Sequence, residues 1–420
     1  MNTPSTPAAG TASATPPRTG TYRLAFILVT SLFFLWGFSY GLLDVLNKHF
    51  QETLDVTRAR SAWLQAAYFG AYFLMAMPAA AVVARRGYKF AILSGLCLFA
   101  GGALLVIPST LAVSFPFFLG ALFIVASGLA FLETAANPYI TLLGPPTGAE
   151  RRLNLSQSFN GLGQFVGPMV GGSALFSPAA LQPGQGPIRA IYAAIAAVVL
   201  TVAFLTWRTA MPEGRLIERE RRPERIAPVE RPLWSQARFA WGVIAQFCYV
   251  AAQVCVGAFF INYATERYAD IGSAQAAWWL SVGMLCFFLG RFVGTALMNW
   301  IAPERLLAAY AIANVVLGLV VVNGAGRLSL FALVAIFFFM SIMFPTIFAL
   351  AIKQLGENTE RGSSFLIMSI VGGAIVPYFM GRIADAHGIA PAYLVPVACF
   401  LVVAGYGWRV AGAWRDQIGP

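Results

Sequence analysis

Charged residues are scarce in this sequence. Asp, Glu, Lys and Arg make up 11% of its 420 residues, against about 25% in a typical soluble protein. Apolar residues make up 59%, and Phe alone occurs 34 times. A soluble core cannot hide that much apolar surface, whereas a lipid bilayer can. The composition therefore excludes an ordinary soluble domain and favours a chain that crosses a membrane several times.

The residues that most often carry catalysis or bind metals are also few or badly spaced. The two histidines, His49 and His387, lie near the ends of apolar runs, where we expect them to meet water. The five cysteines lie in apolar runs without CxxC spacing, which predicts small buried side chains and neither a disulfide nor a metal site. We find no nucleophile–base pair and no phosphate-binding loop. We therefore expect no enzymatic activity and no cofactor.

The N-terminal segment has no charged region, apolar core and cleavage site in series, so it is not a signal peptide. Its Ser, Thr, Pro, Ala and Gly predict a disordered tail over residues 1–22. The net charge of +11 could suggest nucleic-acid binding. However, the basic residues fall between apolar runs instead of forming a patch, so we expect no nucleic-acid partner.

Apolar runs long enough to cross a bilayer recur along nearly the whole chain. They are continuous and lack strand-like alternation, and in lipid a helix satisfies its own backbone polar groups. The sequence therefore predicts an all-α membrane protein with twelve transmembrane helices. The predicted spans are residues 24–46, 60–83, 89–108, 113–143, 154–176, 188–210, 237–263, 275–298, 304–323, 327–352, 362–386 and 389–413.

The longest charged stretch, residues 213–238, divides the chain into six spans plus six. We predict an N-terminal bundle over 23–210, a linker over 211–236 and a C-terminal bundle over 237–414. An even number of spans puts both termini on one side, and most Lys and Arg fall on that side. The positive-inside rule then places both termini in the cytoplasm of a bacterial inner-membrane protein surrounded by lipid.

The two predicted bundles resemble each other in sequence, as two pseudo-symmetric halves would. Two six-helix halves related by a parallel repeat are the plan of major facilitator transporters, in which the substrate sits between the halves near the midplane. Four residues of the first half match four of the second at one constant offset: Arg152, Gly163, Pro168 and Gly172 match Arg361, Gly372, Pro377 and Gly381. The glycines at helical spacing in 161–172 and 372–381 predict close helix packing, with gating bends as a compatible alternative.

Two carboxylates lie within predicted spans, where a charge costs about 2.5–3.5 kcal/mol on insertion scales. Asp44 lies in the first span and Glu133 midway through the fourth. Burial favours the protonated form of a carboxyl group, which suits a carrier that takes up and releases a proton. For Asp44 the alternative is a helix end in water, since Asn47 and Lys48 follow. For Glu133 the alternative is a structural partner of a buried Arg or of the backbone.

Neutral polar residues and one arginine form a second set of candidate substrate contacts. Amides both donate and accept hydrogen bonds, which suits a polyol, although they can equally bond helix to helix. Arg291 could contact a carboxylate or sugar oxygens, or brace its helix. Aromatic rings such as Tyr40, Tyr68 and Tyr72 could stack on a sugar, but most are expected to face lipid or core. The candidate amides are Asn137, Gln157, Asn160, Gln253 and Asn262.

Several stretches together resemble the fucose–proton symporter group of the major facilitator superfamily, which includes fucose, glucose/galactose and N-acetylglucosamine permeases. The resemblance covers about residues 24–410. It implies that Asp44 and Glu133 carry proton coupling and sugar binding, and that Gln157 and Asn160 match the fifth-helix amides. The stretches are FFLWGFSYGLLDVLNKHFQ (33–51), LETAANPYITLLGP (132–145), RLNLSQSFNGLG (152–163), IAQFCYVAAQVC (244–255), FFLGRFVGT (287–295), PTIFALAIKQLG (345–356) and GSSFLIMSIVGGAIVP (362–377).

The sequence departs from the fucose permease in SYGLL (39–43), which has no amide where that permease is Asn-rich. Fucose, a hexose and an N-acetylhexosamine are therefore all candidate substrates. We predict symport of such a sugar with a proton by a monomeric carrier. An uncoupled facilitator or exporter, sodium in place of the proton, and a membrane sugar sensor without transport remain alternatives.

Overall fold

The computed structural model describes residues 19–143, 149–176, 186–211, 232–352, 355 and 359–418. The predicted tail up to residue 18, and the part of the predicted linker at 212–231, lie outside the described residues. The twelve predicted spans all correspond to helices, and we number the spans by their order in the chain. The all-α membrane fold predicted from the apolar runs is therefore confirmed.

The first six spans make up the N-terminal half. The first helix is the longest, because its apolar face continues to residue 54, where Asp55 adopts a positive φ of 49°. Gly87, with a φ of 85°, allows the tight turn between the second and third spans, a conformation that residues with a Cβ rarely adopt. The helices are Thr19–Leu54, Arg58–Ser61 with Trp63–Arg86, Tyr88–Leu111, Phe115–Leu142, Ala149–Leu175 and Gly186–Arg208.

Spans seven to twelve make up the C-terminal half, and several of its spans are interrupted. The seventh breaks at Phe259, the tenth at residues 341–342, and the eleventh passes through a short 3-10 turn at Ser369–Val371. The helices are Ala237–Ala258 with Phe260–Arg267, Ser273–Leu297, Pro303–Asn323, Arg327–Met340 with Met343–Ile352, Thr359–Met368 with Gly372–His387, and Ile389–Ala392 with Leu394–Ile418.

Eleven of the spans in the described part of the chain are long and apolar enough to cross a membrane by composition. The fifth span, Ala149–Leu175, is also long enough, at 27 residues, but is not among the eleven. Its amides and glycines lower its mean hydropathy. A span of this kind is stable only when its polar side faces protein or a water-filled passage instead of lipid.

The first and fifth spans pack backbone to backbone, as the glycine spacing predicts. A Cβ built on Gly163 would lie 2.3 Å from the backbone oxygen of Phe34, and one built on Gly37 would lie 1.9 Å from that of Asn160. No side chain fits at either position. The expectation of close helix packing at 161–172 is therefore confirmed.

In the described part of the chain, the most extensive contacts between the two halves lie along three pairs of spans. The first span contacts the seventh, the second contacts the eleventh, and the fifth contacts the eighth. At the last of these pairs, Gly161 packs against the ring of Phe288 and Gly172 packs against Ala277. Residues on these facing sides are the ones that a rocking motion of the halves would alternately join and separate.

Candidate functional site

Asp44 lies at the contact between the two halves. The first helix continues ten residues beyond it to Leu54, and Asp44 is only 1% exposed. The alternative that Asp44 marks a helix end in water is therefore wrong. A Cβ built on Gly257 of the seventh span would lie 2.6 Å from Oδ2 of Asp44. That oxygen is buried and makes no hydrogen bond with the described residues, although burial of an unpaired polar group is costly.

The first and seventh spans are joined by side-chain hydrogen bonds just beyond Asp44. Asn47 Nδ2 donates to the backbone oxygen of Ala258 at 2.6 Å. Asn262 Nδ2 donates to Gln51 Oε1 at 2.5 Å. Asn262, a predicted substrate contact, thus bonds across the two halves near their ends, and its Oδ1 is left without a partner among the described residues.

The ends of the halves opposite to the chain termini are closed by a cluster around Arg58. Its guanidinium bonds the Glu266 carboxylate at 2.5 Å and the backbone oxygen of Ala384 at 2.7 Å. The Asp385 carboxylate accepts the backbone N–H groups of Arg58 and Ala59, both at 3.0 Å. An anion at the start of a helix is favourable because the first N–H groups have no partner within the helix. We call these four residues, Arg58, Ala59, Glu266 and Asp385, the latch.

Glu133 lies on the fourth span and is half-buried. The second span packs along this helix and carries Tyr68 and Tyr72, both of which are buried. The alternative of a buried arginine partner finds no support, since no ion pair of Glu133 occurs among the described residues.

The predicted amides of the N-terminal half form two small groups. Gln157 Nε2 donates to Asn137 Oδ1 at 3.1 Å, which joins the fourth and fifth spans, and both residues are half-buried. Asn160 Nδ2 donates to the backbone oxygen of Phe33 at 3.2 Å, and Asn160 Oδ1 accepts from Gln164 at 2.7 Å. Asn160 is therefore engaged between helices, whereas the Asn137–Gln157 pair is open enough to exchange partners.

The predicted residues of the C-terminal half are less closely grouped. Arg291 places its guanidinium 5.2 Å from the centroid of the Phe287 ring, and its buried Nε makes no hydrogen bond with the described residues. It also interacts electrostatically with Tyr249 of the seventh span, whose hydroxyl donates to the backbone oxygen of Met340 at 3.0 Å. Gln253 is half-buried on the same span.

Sequence reasoning missed two fully buried amides and underweighted two tyrosines. Gln65 and Asn314 are 0% exposed, and neither the oxygen nor the nitrogen of either amide has a partner among the described residues. The hydroxyls of Tyr68 and Tyr72 are likewise buried without a hydrogen bond. The available signal was spacing, because Gln65, Tyr68 and Tyr72 share one face of the second span at helical intervals.

His49 also departs from expectation. It is 1% exposed instead of being in contact with water, and its Nδ1 lies 3.0 Å from the backbone oxygen of Leu175. This contact joins the first span to the end of the fifth. His387 is exposed, as expected. Within the described ranges, no group of three or more His, Cys, Asp or Glu side chains is arranged to hold a metal ion.

Comparison with known proteins places this geometry in context. The sequence model of the Major Facilitator Superfamily matches residues 25–377. The chain is 38% identical to the L-fucose-proton symporter of Escherichia coli (strain K12) over 402 residues, which covers 91% of this chain and 92% of that protein. It is 37% identical to a glucose/galactose transporter of Brucella abortus biovar 1 (strain 9-941) over 390 residues, or 92% of this chain and 94% of that one.

Solved structures of transporters have the same fold as this chain. The crystal structure of the transporter FucP in the outward conformation is 36% identical, covers 93% of this chain and 99% of its own, and superposes with a TM-score of 0.68. A D-xylose-proton symporter superposes with a TM-score of 0.73 at 14% identity, covering 92% of this chain and 97% of its own, which supports the fold alone.

Proposed function

Because this chain belongs to the major facilitator superfamily, in its fucose–proton symporter group, we propose that it carries a monosaccharide together with a proton across the bacterial inner membrane. The observation that carries the proposal is Asp44, a carboxylate with an unpaired buried oxygen at the contact between the halves. Buried unpaired carboxyl groups are expected where protonation is part of a working cycle.

The proposed cycle is rocking of one half against the other. The side chains that join the first and seventh spans close the end opposite to the termini, so the passage opens toward the termini in this conformation. With both termini in the cytoplasm, the latch closes the periplasmic end. A protonated Asp44 is neutral and fits its dry position, whereas its charged form is better placed when the halves separate and water enters.

The sugar is proposed to lie between the halves at the level of the Asn137–Gln157 pair. Two amides that bond each other at 3.1 Å exchange that bond for sugar hydroxyls at little net cost. Glu133 on the same span as Asn137 is the proposed second carboxylate, and Arg291 and Gln253 are the proposed sugar contacts from the other half. Fucose, a hexose or an N-acetylhexosamine fits this donor and acceptor set, and the carrier is proposed to act as a monomer in lipid, without a cofactor.

The proposal predicts that adding the right sugar to energy-depleted cells makes the medium more alkaline, because protons enter with the sugar. Proteoliposomes in sodium-free buffer should accumulate labelled sugar when a pH gradient is imposed. A gradient of one pH unit supports at most about tenfold accumulation, since 1.4 kcal/mol corresponds to a factor of ten. Uptake without alkalinisation would identify a facilitator, and binding without flux would identify a sensor.

The Glu133→Gln variant tests the coupling directly. It keeps the shape of the side chain but cannot lose a proton, so we expect accumulation to vanish while counterflow of labelled sugar continues. Asp270→Asn is the matched control, because Asp270 is an exposed carboxylate whose partner is Arg327 at 2.6 Å within the C-terminal half. Undiminished accumulation by Glu133→Gln would remove this residue from the mechanism.

A further inference from the structure

Three buried tyrosines lie between the two carboxylates. Tyr40 is on the first span, and Tyr68 and Tyr72 are on the second, with exposures of 9%, 1% and 5%. Their rings are in contact, since the centroids of Tyr40 and Tyr68 are 6.5 Å apart and those of Tyr68 and Tyr72 are 5.5 Å apart. Because these side chains are buried, their hydroxyls are the polar groups that this row can offer to a proton.

The tyrosines reach a carboxylate at each end of this row. Tyr40 precedes Asp44 by four residues, which places both side chains on one face of the helix. Tyr68 and Tyr72 lie on one face of the second span at helical spacing, and both side chains are buried. The second span, which carries Tyr68 and Tyr72, packs along the fourth span, which carries Glu133.

The two carboxylates at the ends of this row lie at different depths in the membrane. Asp44 lies ten residues from the end of its helix at Leu54, which is about 15 Å at 1.5 Å per residue. Tyr72 lies about 21 Å along the second span from Arg58 by the same measure. Glu133 lies about 27 Å from Phe115 at the corresponding end of the fourth span. By the same measure Tyr40 lies about 21 Å and Tyr68 about 15 Å from this end, so the tyrosines lie at depths between those of Asp44 and Glu133 without a steady order along the row.

The hydroxyls of Tyr68 and Tyr72 make no hydrogen bond that holds one helix to another among the described residues. They lie near each other without meeting the geometry of a hydrogen bond, and both oxygens are buried without a partner in the described part of the chain. Tyr249 and Tyr263, by contrast, donate to backbone oxygens at 3.0 and 2.7 Å. A buried hydroxyl left unpaired costs about 1–3 kcal/mol, and a phenol both donates and accepts. A small rotation or one water molecule would complete the row.

We propose that Tyr40, Tyr68 and Tyr72 form a hydroxyl relay that passes the coupled proton between Asp44 and Glu133. The Asp44 carboxylic acid gives its proton to the oxygen of the first phenol while that phenol passes its own hydrogen onward. The last phenol protonates the Glu133 carboxylate. Asp44 ends as a carboxylate and Glu133 as an acid, each tyrosine ends neutral, and the proton count is unchanged. The relay rests on the proposed proton symport.

Removing the hydroxyls while keeping the rings tests the relay. We expect Tyr68→Phe, Tyr72→Phe and the double variant to lower sugar-driven proton uptake by about a hundredfold, the lower end of the range for a positioned proton donor. Sugar binding and counterflow should stay within about twofold, because exchange needs no net proton transfer. Only variants that keep the wild-type melting temperature are scored. Tyr406→Phe is the control, since its hydroxyl is also buried without a partner but lies beside Gly242, far along the C-terminal half.

The outcomes separate this inference from the function on which it rests. Wild-type protein that transports sugar without protons would remove both. Proton-coupled wild-type protein with equally coupled tyrosine variants would overturn the relay alone. Loss of sugar binding and counterflow in proportion to proton uptake would also overturn it, by identifying the tyrosines as sugar contacts.

Discussion

At the scale of single residues, the position of Asp44 depends on Gly257 having no side chain. The Asp44 carboxylate fills the space beside Gly257, and a Cβ added to Gly257 would lie 2.6 Å from Oδ2 and 3.1 Å from Cγ of Asp44. Both groups belong to helices packed on several sides, so neither moves freely. The contact exists only while the first and seventh spans are together, which ties the packing of one glycine to one state of the transport cycle.

We therefore predict that Gly257→Ala disfavours the conformation described here. Overpacking costs about 1–3 kcal/mol, which lowers the population of this state by about 5- to 150-fold relative to the opposite one. Active sugar uptake should fall while binding from the opposite side is kept. Gly405→Ala is the control, since nothing lies within 4 Å of the site of its Cβ. Equal uptake by the two variants would show that the Asp44–Gly257 contact does not limit the cycle.

At the scale of helices, the first and fifth spans form one unit held by backbone contact. Gly37 and Gly163 each face the backbone of the other span. The same pair is bonded by Asn160 to the backbone of Phe33 and by Thr30 to Ser156, whose hydroxyls lie 3.1 Å apart. Small residues that allow such an approach replace the hydrophobic driving force that lipid cannot supply.

A larger side chain at the contact between the first and fifth spans should destabilise the fold. We predict that Gly163→Val lowers the melting temperature in detergent, because the new side chain meets rigid backbone and overpacking costs at least about 1–3 kcal/mol. Gly120→Val, at an exposed position with no neighbour within 4 Å of its Cβ, should change the melting temperature little. A Gly163 variant as stable as the Gly120 variant would contradict the close packing.

Much of the fold at this scale follows from the sequence, because apolar runs and their bounds are local signals. The predicted span 304–323 and the helix Pro303–Asn323 differ by one residue. What the sequence does not contain is which polar side chains meet across helices. Asn262 bonds Gln51, which is 211 residues away in the chain. The only signal for Gln65 was its helical spacing with Tyr68 and Tyr72, because a single amide in an apolar run otherwise resembles a surface residue.

At the scale of the whole molecule, closure depends on few charged groups. The latch joins the second span of one half to the seventh and eleventh spans of the other. Its ion pairs are partly exposed, with side-chain exposures of 24% for Arg58 and 29% for Glu266. Exposed pairs contribute only about 0.2–1 kcal/mol each. A closure this weak is compatible with a carrier whose two states must interconvert readily.

The last prediction concerns this closure. Asp385→Ala removes the acceptor of the Arg58 and Ala59 N–H groups, so we expect a loss of about 1–2 kcal/mol, or roughly 5- to 30-fold in the equilibrium between states. Spin labels can be placed at Arg60 and His387, two exposed positions on opposite halves. Opening of the latch would lengthen the distance between the two labels in electron resonance measurements. Asp270→Ala, which breaks the 2.6 Å pair with Arg327 inside one half, should leave the distance unchanged. An unaltered distance in Asp385→Ala would mean that the closed end is held by the amide bonds of Asn47 and Asn262 instead of by the latch.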